Sequence, residues 1–128
     1  MSQAERIAAA LIGEALHGVV PEPVLEPFGG GVKYCREHRV RRSGKRVTLT
    51  RNYWLKGIPR EAAKGVALLV FGNWREAGHR VDAAPDHEGR VVAASLRSRP
   101  DAFLMQVAMG LGGQLSVGVT SPCFRDRG

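Results

Sequence analysis

The sequence predicts an α+β fold, with two helices packed on one face of a mostly antiparallel sheet of about five to six strands. Two segments carry apolar residues at helical spacing, and the other patterned segments alternate apolar and polar residues. The predicted order is α-β-β-α-β-β-β, with room for a short extra strand. Because strands come in runs and the helices stand apart from them, this order favours α+β over a doubly wound parallel sheet.

The size and composition fit a single folded domain, 1–128. Apolar residues make up 44% of the chain and charged residues 24%, which excludes a disordered, a collagen-like or a disulfide-dense protein. The longest apolar run, Val66 to Phe71, is six residues long. Since a membrane-spanning helix needs roughly 20 apolar residues, we expect no transmembrane segment.

An N-terminal helix is predicted within residues 1–18. Ser2 and Glu5 form the S-x-x-E pattern of a capping box, apolar residues then recur at helical spacing, and Gly18 ends the pattern. Residues 19–31 contain three prolines and three consecutive glycines. That composition predicts an extended connector that is neither helix nor strand.

A β-hairpin is predicted over residues 32–55, with Ser43-Gly44 as a two-residue turn. In that register the numbers of paired residues sum to 87, so that Tyr34 faces Tyr53 on an apolar side of the hairpin. The opposite side is basic and polar. A slip of one residue would mix the two sides, and the clean separation therefore supports the register.

The apolar side of this hairpin also carries two arginines, Arg36 and Arg51, directly opposite each other in the predicted register. Like charges across a strand pair are destabilising, and a buried charge needs a partner. We expect either a carboxylate from the second helix, Glu61 or Glu76, or a bound anion between the two guanidinium groups.

A second helix is predicted over residues 59–77, because Pro59 suits a first helical position and Gly78 a C-terminal cap. Strands joined by polar turns follow, and the αβ core then spans 32–123 with 124–128 as a frayed tail. The apolar stripe of the helix includes Val66, Leu69, Val70 and Trp74, and the later strands are 79–83, 90–98, 102–109 and 114–120.

The net charge is +7, and the basic residues are concentrated in one segment. Residues 33–60 contain ten basic side chains and one acid, Glu37. Such a concentration attracts polyanions, which include nucleic acid, anionic lipid and acidic protein faces. The predicted anion- or partner-binding residues are Arg36, Arg39, Arg41, Arg42, Lys45, Arg46 and Arg51.

No pattern in the sequence is specific for catalysis, and we expect no catalytic residue, no metal site and no cofactor. Cys35 and His38 lie three positions apart, so on a strand they point to opposite faces, which favours a structural thiol or disulfide over a nucleophile–base pair. The turn from Asp82 to Glu88 collects carboxylates around His87, a composition that is more typical of a solvated turn than of a metal site.

The two cysteines, Cys35 and Cys123, lie 88 positions apart in the sequence. A disulfide closing a loop of that length would stabilise the fold by about 4 kcal/mol. Two reduced thiols are equally consistent with the residues, because cytosolic proteins keep cysteines reduced. The spacing alone leaves both alternatives open.

Three short features together resemble a class of known proteins. Trp74 and Gly78 form a W-x-x-x-G helix end, an alternating meander follows, and the last strand runs into Ser121-Pro122-Cys123 with a single earlier cysteine, Cys35. Over residues 35–123 this combination resembles small actinobacterial extracytoplasmic αβ domains, often lipoproteins of unknown function. The resemblance implies a Cys35–Cys123 disulfide and a signal or membrane anchor upstream.

The sequence therefore predicts a non-catalytic binding module that uses a basic hairpin against an acidic protein or anionic surface. A nucleic-acid-binding regulator is the alternative, and a small enzyme the least favoured hypothesis. The uncovered face of the sheet could carry a homodimer. No signal is apparent in the sequence, so we expect a cytoplasmic location by default and an extracytoplasmic one if Cys35 and Cys123 are bridged.

Overall fold

The computed structural model describes residues 2–35 and 46–125. It shows the predicted α+β fold, with two helices and an antiparallel sheet of eight strands in place of the expected five to six. The helices are α1 (Gln3–Ala15) and α2 (Ala63–Glu76), the latter preceded by a 3-10 turn over Arg60–Ala62. The strands are β1 (Val24–Pro27), β2 (Gly31–Tyr34), β3 (Arg46–Lys56), β4 (Arg80–Ala83), β5 (Val92–Arg97), β6 (Leu104–Met109), β7 (Leu115–Thr120) and β8 (Phe124–Arg125).

The 11-residue strand β3 organises the sheet, because four other strands pair with it. β1 and β2 share one edge of β3, whereas β7 and β8 share the other. From β7 the sheet continues through β6 and β5 to β4 at the far edge. The sheet is therefore only six strands wide, although it contains eight strands.

The two strands that were not predicted lie in the segments assigned to the connector 19–31 and the tail 124–128. β1 contains Pro27 and lies at an edge of the sheet, where the missing N–H of proline costs no ladder hydrogen bond. Gly30 then lets the chain pass close to β3, since a Cβ there would lie 2.7 Å from the carbonyl oxygen of Thr50. β8 pairs with the beginning of β3, so the first two residues of the predicted tail are part of the sheet.

The predicted hairpin register is wrong. Tyr34 pairs with Val47 instead of Tyr53, and the N–H of Cys35 donates to the carbonyl of Arg46 at 2.9 Å. The strands are thus offset by six positions, and the ten residues 36–45, including the predicted Ser43-Gly44 turn, lie outside the described part of the chain. Because side chains alternate with a period of two, an offset by an even number leaves every residue on its predicted face.

Both helices pack against one face of the sheet, as predicted, and contact each other. The capping box of α1 is confirmed, with the Glu5 N–H donating to the Ser2 hydroxyl at 3.1 Å and the Ser2 N–H to the Glu5 carboxylate at 3.1 Å. Neither helix in the described residues combines the length and the apolar character needed to cross a membrane.

The stripe of α2 that faces the sheet is rotated from the one predicted. Its buried residues centre on Val70 and Trp74, while Leu69, which was predicted to be in the core, is 39% exposed. The buried stripe includes Ala67, Val70 and Phe71, and because each residue turns the helix by about 100°, Leu69 lies at the margin of this stripe. Trp74 is fully buried, and its Nε1–H donates to the carbonyl of Leu11 in α1 at 2.9 Å.

Candidate functional site

Three exposed cations meet on the outer face of the sheet, the face opposite the helices. Lys33 of β2 pairs with Thr48, and Arg46 of β3 pairs directly with Arg125 of β8. Val47, the β3 neighbour of Arg46, is buried, and side chains alternate along a strand, so Arg46, its partner Arg125 and the Lys33–Thr48 pair lie on the outer side. We call Lys33, Arg46 and Arg125 the basic end.

The basic end adjoins the segment from which most of the predicted site residues come. Cys35 and Arg46 flank residues 36–45, and both lie at this end of β3. The predicted site residues Arg36, Arg39, Arg41, Arg42 and Lys45 all lie outside the described residues. Of the predicted set, the structure therefore describes Arg46 and Arg51.

Arg125 belongs to the basic end although it was not among the predicted site residues. It lies in the segment that was predicted to be a tail, two positions after Cys123. A Cys35–Cys123 bridge brings the residues that follow Cys123 next to those around Cys35. The pairing of the cysteines is thus the signal that could have identified it.

Cys35 and Cys123 form a disulfide, which confirms the pairing that the resemblance implied, and their Cα atoms are 6.3 Å apart. Cys35 follows β2 on one edge of β3, and Cys123 precedes β8 on the other. The bridge therefore ties together the strands that carry Lys33 and Arg125. It also means that Cys35 is not a free thiolate nucleophile.

Arg51 lies on the helix side of the sheet and not with the basic end. It pairs with Val119 on the β7 side, and on the β2 side the register sets Gly31 opposite Thr50, so the predicted register that put Arg51 opposite Arg36 is wrong. Its counter-charge is a helix carboxylate, as expected, but the partner is Glu5 of α1, not Glu61 or Glu76. The distance from Nη2 to Oε2 is 3.3 Å, and both side chains are about one-third to two-fifths exposed.

Glu5 accepts from both the α1 capping box and Arg51, and these contacts predict a pH-dependent contribution to stability. Its pKa lies below the ordinary value, chiefly because of the backbone and side-chain hydrogen bonds of Ser2, with a smaller effect of Arg51. A lowered carboxyl pKa gives stability that is present above the ordinary pKa and is lost as the pH falls through the lowered one. We expect Glu5→Gln to lower the melting temperature at neutral pH and to match the wild type in strong acid.

Glutamine can still accept the Ser2 N–H bond of the capping box, so this substitution isolates the charge of Glu5. Thermal melts of both proteins over a range of pH measure the difference. A gap in melting temperature that stays constant from neutral pH to strong acid would show that the charge contributes nothing.

The outer face also forms an open groove of about 450 Å³ over the central strands. Asn52, Ser95, Gln106 and Ser116 supply neutral hydrogen-bonding groups along it, and no ionisable side chain is among its described lining residues. At one end Phe28 lies stacked on Trp54, with ring centroids 4.3 Å apart. Among the described lining residues, no titratable acid or base accompanies the hydroxyls of Ser95 and Ser116.

His79 and Asp82 both have polar partners within the fold. His79 is buried, with Nε2 2.8 Å from Glu14 and Nδ1 accepting from the N–H of Arg99. Asp82 pairs with Arg80 and Arg97. Within residues 2–35 and 46–125, no three metal-ligating side chains come together.

The geometry thus gives two outer-face features, the basic end and the neutral groove, and neither carries a recognisable catalytic arrangement. The chain matches no protein-family model, no curated protein and no solved structure. What the protein does must therefore be inferred from its own residues.

Proposed function

We propose that the protein is a non-catalytic binding module whose basic end, together with residues 36–45, binds an acidic protein or another anionic surface. The observation that carries this proposal is the meeting of Lys33, Arg46 and Arg125, from three different strands, on one exposed face. The segment between Cys35 and Arg46 adds five basic residues and one acid from the sequence.

The clustering of basic residues at and next to the basic end attracts polyanions. Residues 33–46 contain seven basic side chains and one acid, which gives this segment a net charge of +6. Clustered charges of one sign raise the local concentration of an oppositely charged partner and speed its association. Arg46 and Arg125, which face each other across β3 and β8, add their potentials at one place.

The disulfide supports an anionic surface outside the cytoplasm over a nucleic acid as the partner. Structural disulfides persist in oxidising compartments such as the cell exterior, and are rare where nucleic acids are handled. We therefore propose an extracytoplasmic location.

Charge reversal at the basic end tests this function. We expect Lys33→Glu with Arg125→Glu to weaken binding to immobilised poly-L-glutamate and to phosphatidylglycerol vesicles by at least about 30-fold, because the loss of each cation near an anionic surface costs roughly 1 kcal/mol and the two new carboxylates add repulsion. Wild-type binding should also fall steeply as the salt concentration rises.

The matched control is Arg90→Glu with Arg99→Glu, which changes the net charge by the same four units. Both positions are exposed and lie in the loops that flank β5, outside the three strands that carry the basic end. It should bind close to the wild-type level. Equal losses in both variants would contradict a localised site, and binding of the wild type to neither probe would reject the proposed function. Tighter binding to duplex DNA than to both probes would favour a nucleic-acid regulator instead.

A further inference from the structure

Two apolar side chains of β2 lie exposed beside the basic end. Val32 is 58% exposed and Tyr34 is 66% exposed, although their partners on β3, Leu49 and Val47, are each only 2% exposed. Val32 and Tyr34 therefore lie on the same face of the sheet as the core, but at β2 the helices no longer cover that face. Lys33 lies between them on the opposite face of the strand.

Among the described strands, β2 pairs with β3 alone and is an edge strand. A flat surface that meets the edge of a sheet can be reached by side chains from both faces of that strand. The long stem of Lys33 can bring its ammonium group to the same plane as Val32 and Tyr34. Cys35 directly follows β2, and its bridge to Cys123 fixes the end of β2 relative to the start of β8.

These features indicate which kind of anionic surface the protein binds, and the inference rests on the function proposed above. We infer that the anionic surface is a lipid bilayer, with Val32 and Tyr34 entering its interfacial layer while Lys33 contacts anionic head groups and the other cations of the basic end attract the membrane at longer range. Tyrosine is a residue of membrane interfaces, where the ring is buried and the hydroxyl remains hydrated. Basic clusters beside shallow apolar groups are typical of proteins that bind anionic membranes.

The small size of the apolar group favours a bilayer over a folded protein. A stable protein interface buries on the order of 1,000 Å² or more with close shape complementarity, and two side chains on a four-residue edge strand offer far less. A bilayer requires no complementary shape, because its acyl chains adapt to whatever enters. Two apolar side chains and a cluster of cations are enough for reversible attachment.

Vesicle binding of the full chain tests the inference. We expect the wild type to cosediment with vesicles that contain phosphatidylglycerol and not with pure phosphatidylcholine. Val32→Ser with Tyr34→Ser should weaken the binding to phosphatidylglycerol vesicles by about tenfold or more, while binding to poly-L-glutamate stays at the wild-type level. Tyr34→Phe, which keeps the ring, should retain vesicle binding.

The matched control is Val24→Ser with Leu111→Ser, which removes two other exposed apolar side chains, 67% and 69% exposed, from different parts of the surface. It should bind vesicles as the wild type does. Melting temperatures identify any variant that fails to fold, and Val32→Ser alone then replaces the double variant with a smaller expected loss.

Each outcome separates the inference from the function on which it rests. Vesicle binding that is unchanged by Val32→Ser with Tyr34→Ser, or reduced equally by the control, overturns the inference that the partner is a bilayer. So does a wild type that binds poly-L-glutamate but no vesicle, a result that leaves an acidic protein as the partner and the proposed function intact. Failure to bind either probe rejects the proposed function itself.

Discussion

Replacing both cysteines with serine is expected to lower the free energy of unfolding by about 4 kcal/mol, the value for a cross-link that closes a loop of this length. The bridge between Cys35 and Cys123 spans 88 positions and joins the two edges of β3. A domain of this size has a total stability of roughly 5–15 kcal/mol. The variant should therefore retain only part of the wild-type free energy of unfolding. Urea unfolding of both proteins at neutral pH measures the change.

A reducing agent provides the control for the disulfide prediction. It should destabilise the wild type by a similar amount and leave the double-serine variant unchanged, since that variant has no bond to reduce. Equal unfolding midpoints for the oxidised and reduced wild type would contradict the prediction. The bridge would then be too weak to hold β2 and β8 in place, and the geometry of the basic end would depend on β3 pairing alone.

The elements with strong local signals were predicted well from the sequence. The capping box of Ser2 and Glu5 marks the start of α1, and the alternation in 102–109 and 114–120 gives β6 and β7. In each case the signal lies within the element, in a hydrogen bond or in a period that burial on one face imposes.

The failures arise where local pattern does not determine long-range pairing. An offset of six positions between β2 and β3 changes no residue's face, so alternation cannot distinguish the true register from the predicted one. Arg51 was correctly placed on the helix side, yet its partner Glu5 depends on where α1 crosses the sheet. Arg125 joins the basic end through pairing of a two-residue strand, which is too short to leave a periodic signal.

The same limit applies to α2, whose apolar run from Val66 to Phe71 is almost continuous. A helix with apolar residues on most of its circumference does not reveal which stripe faces the sheet. The structure shows that Trp74 lies in the core and that Leu69 lies at its margin. Substitutions at these two positions therefore test the orientation of the helix.

Trp74→Ala is expected to cost about 3–5 kcal/mol, because it empties the space of a fully buried indole. The ring also joins the two helices, since its Nε1–H donates to the Leu11 carbonyl at 2.9 Å. Trp74→Phe keeps most of the packing and removes that hydrogen bond, so it should cost less, roughly 1–3 kcal/mol. Denaturant unfolding gives both values.

Leu69→Ala is the matched control on the same helix and should cost less than about 1 kcal/mol, because exposed positions contribute little packing and alanine is a strong helix former. Losses of similar size at Leu69 and Trp74 would mean that α2 is rotated toward the stripe first expected from its sequence. In that orientation the indole would no longer reach Leu11, and Trp74→Phe would then cost no more than the change in ring size. The three substitutions together thus distinguish a helix held by one buried, hydrogen-bonded tryptophan from one held by its apolar run as a whole.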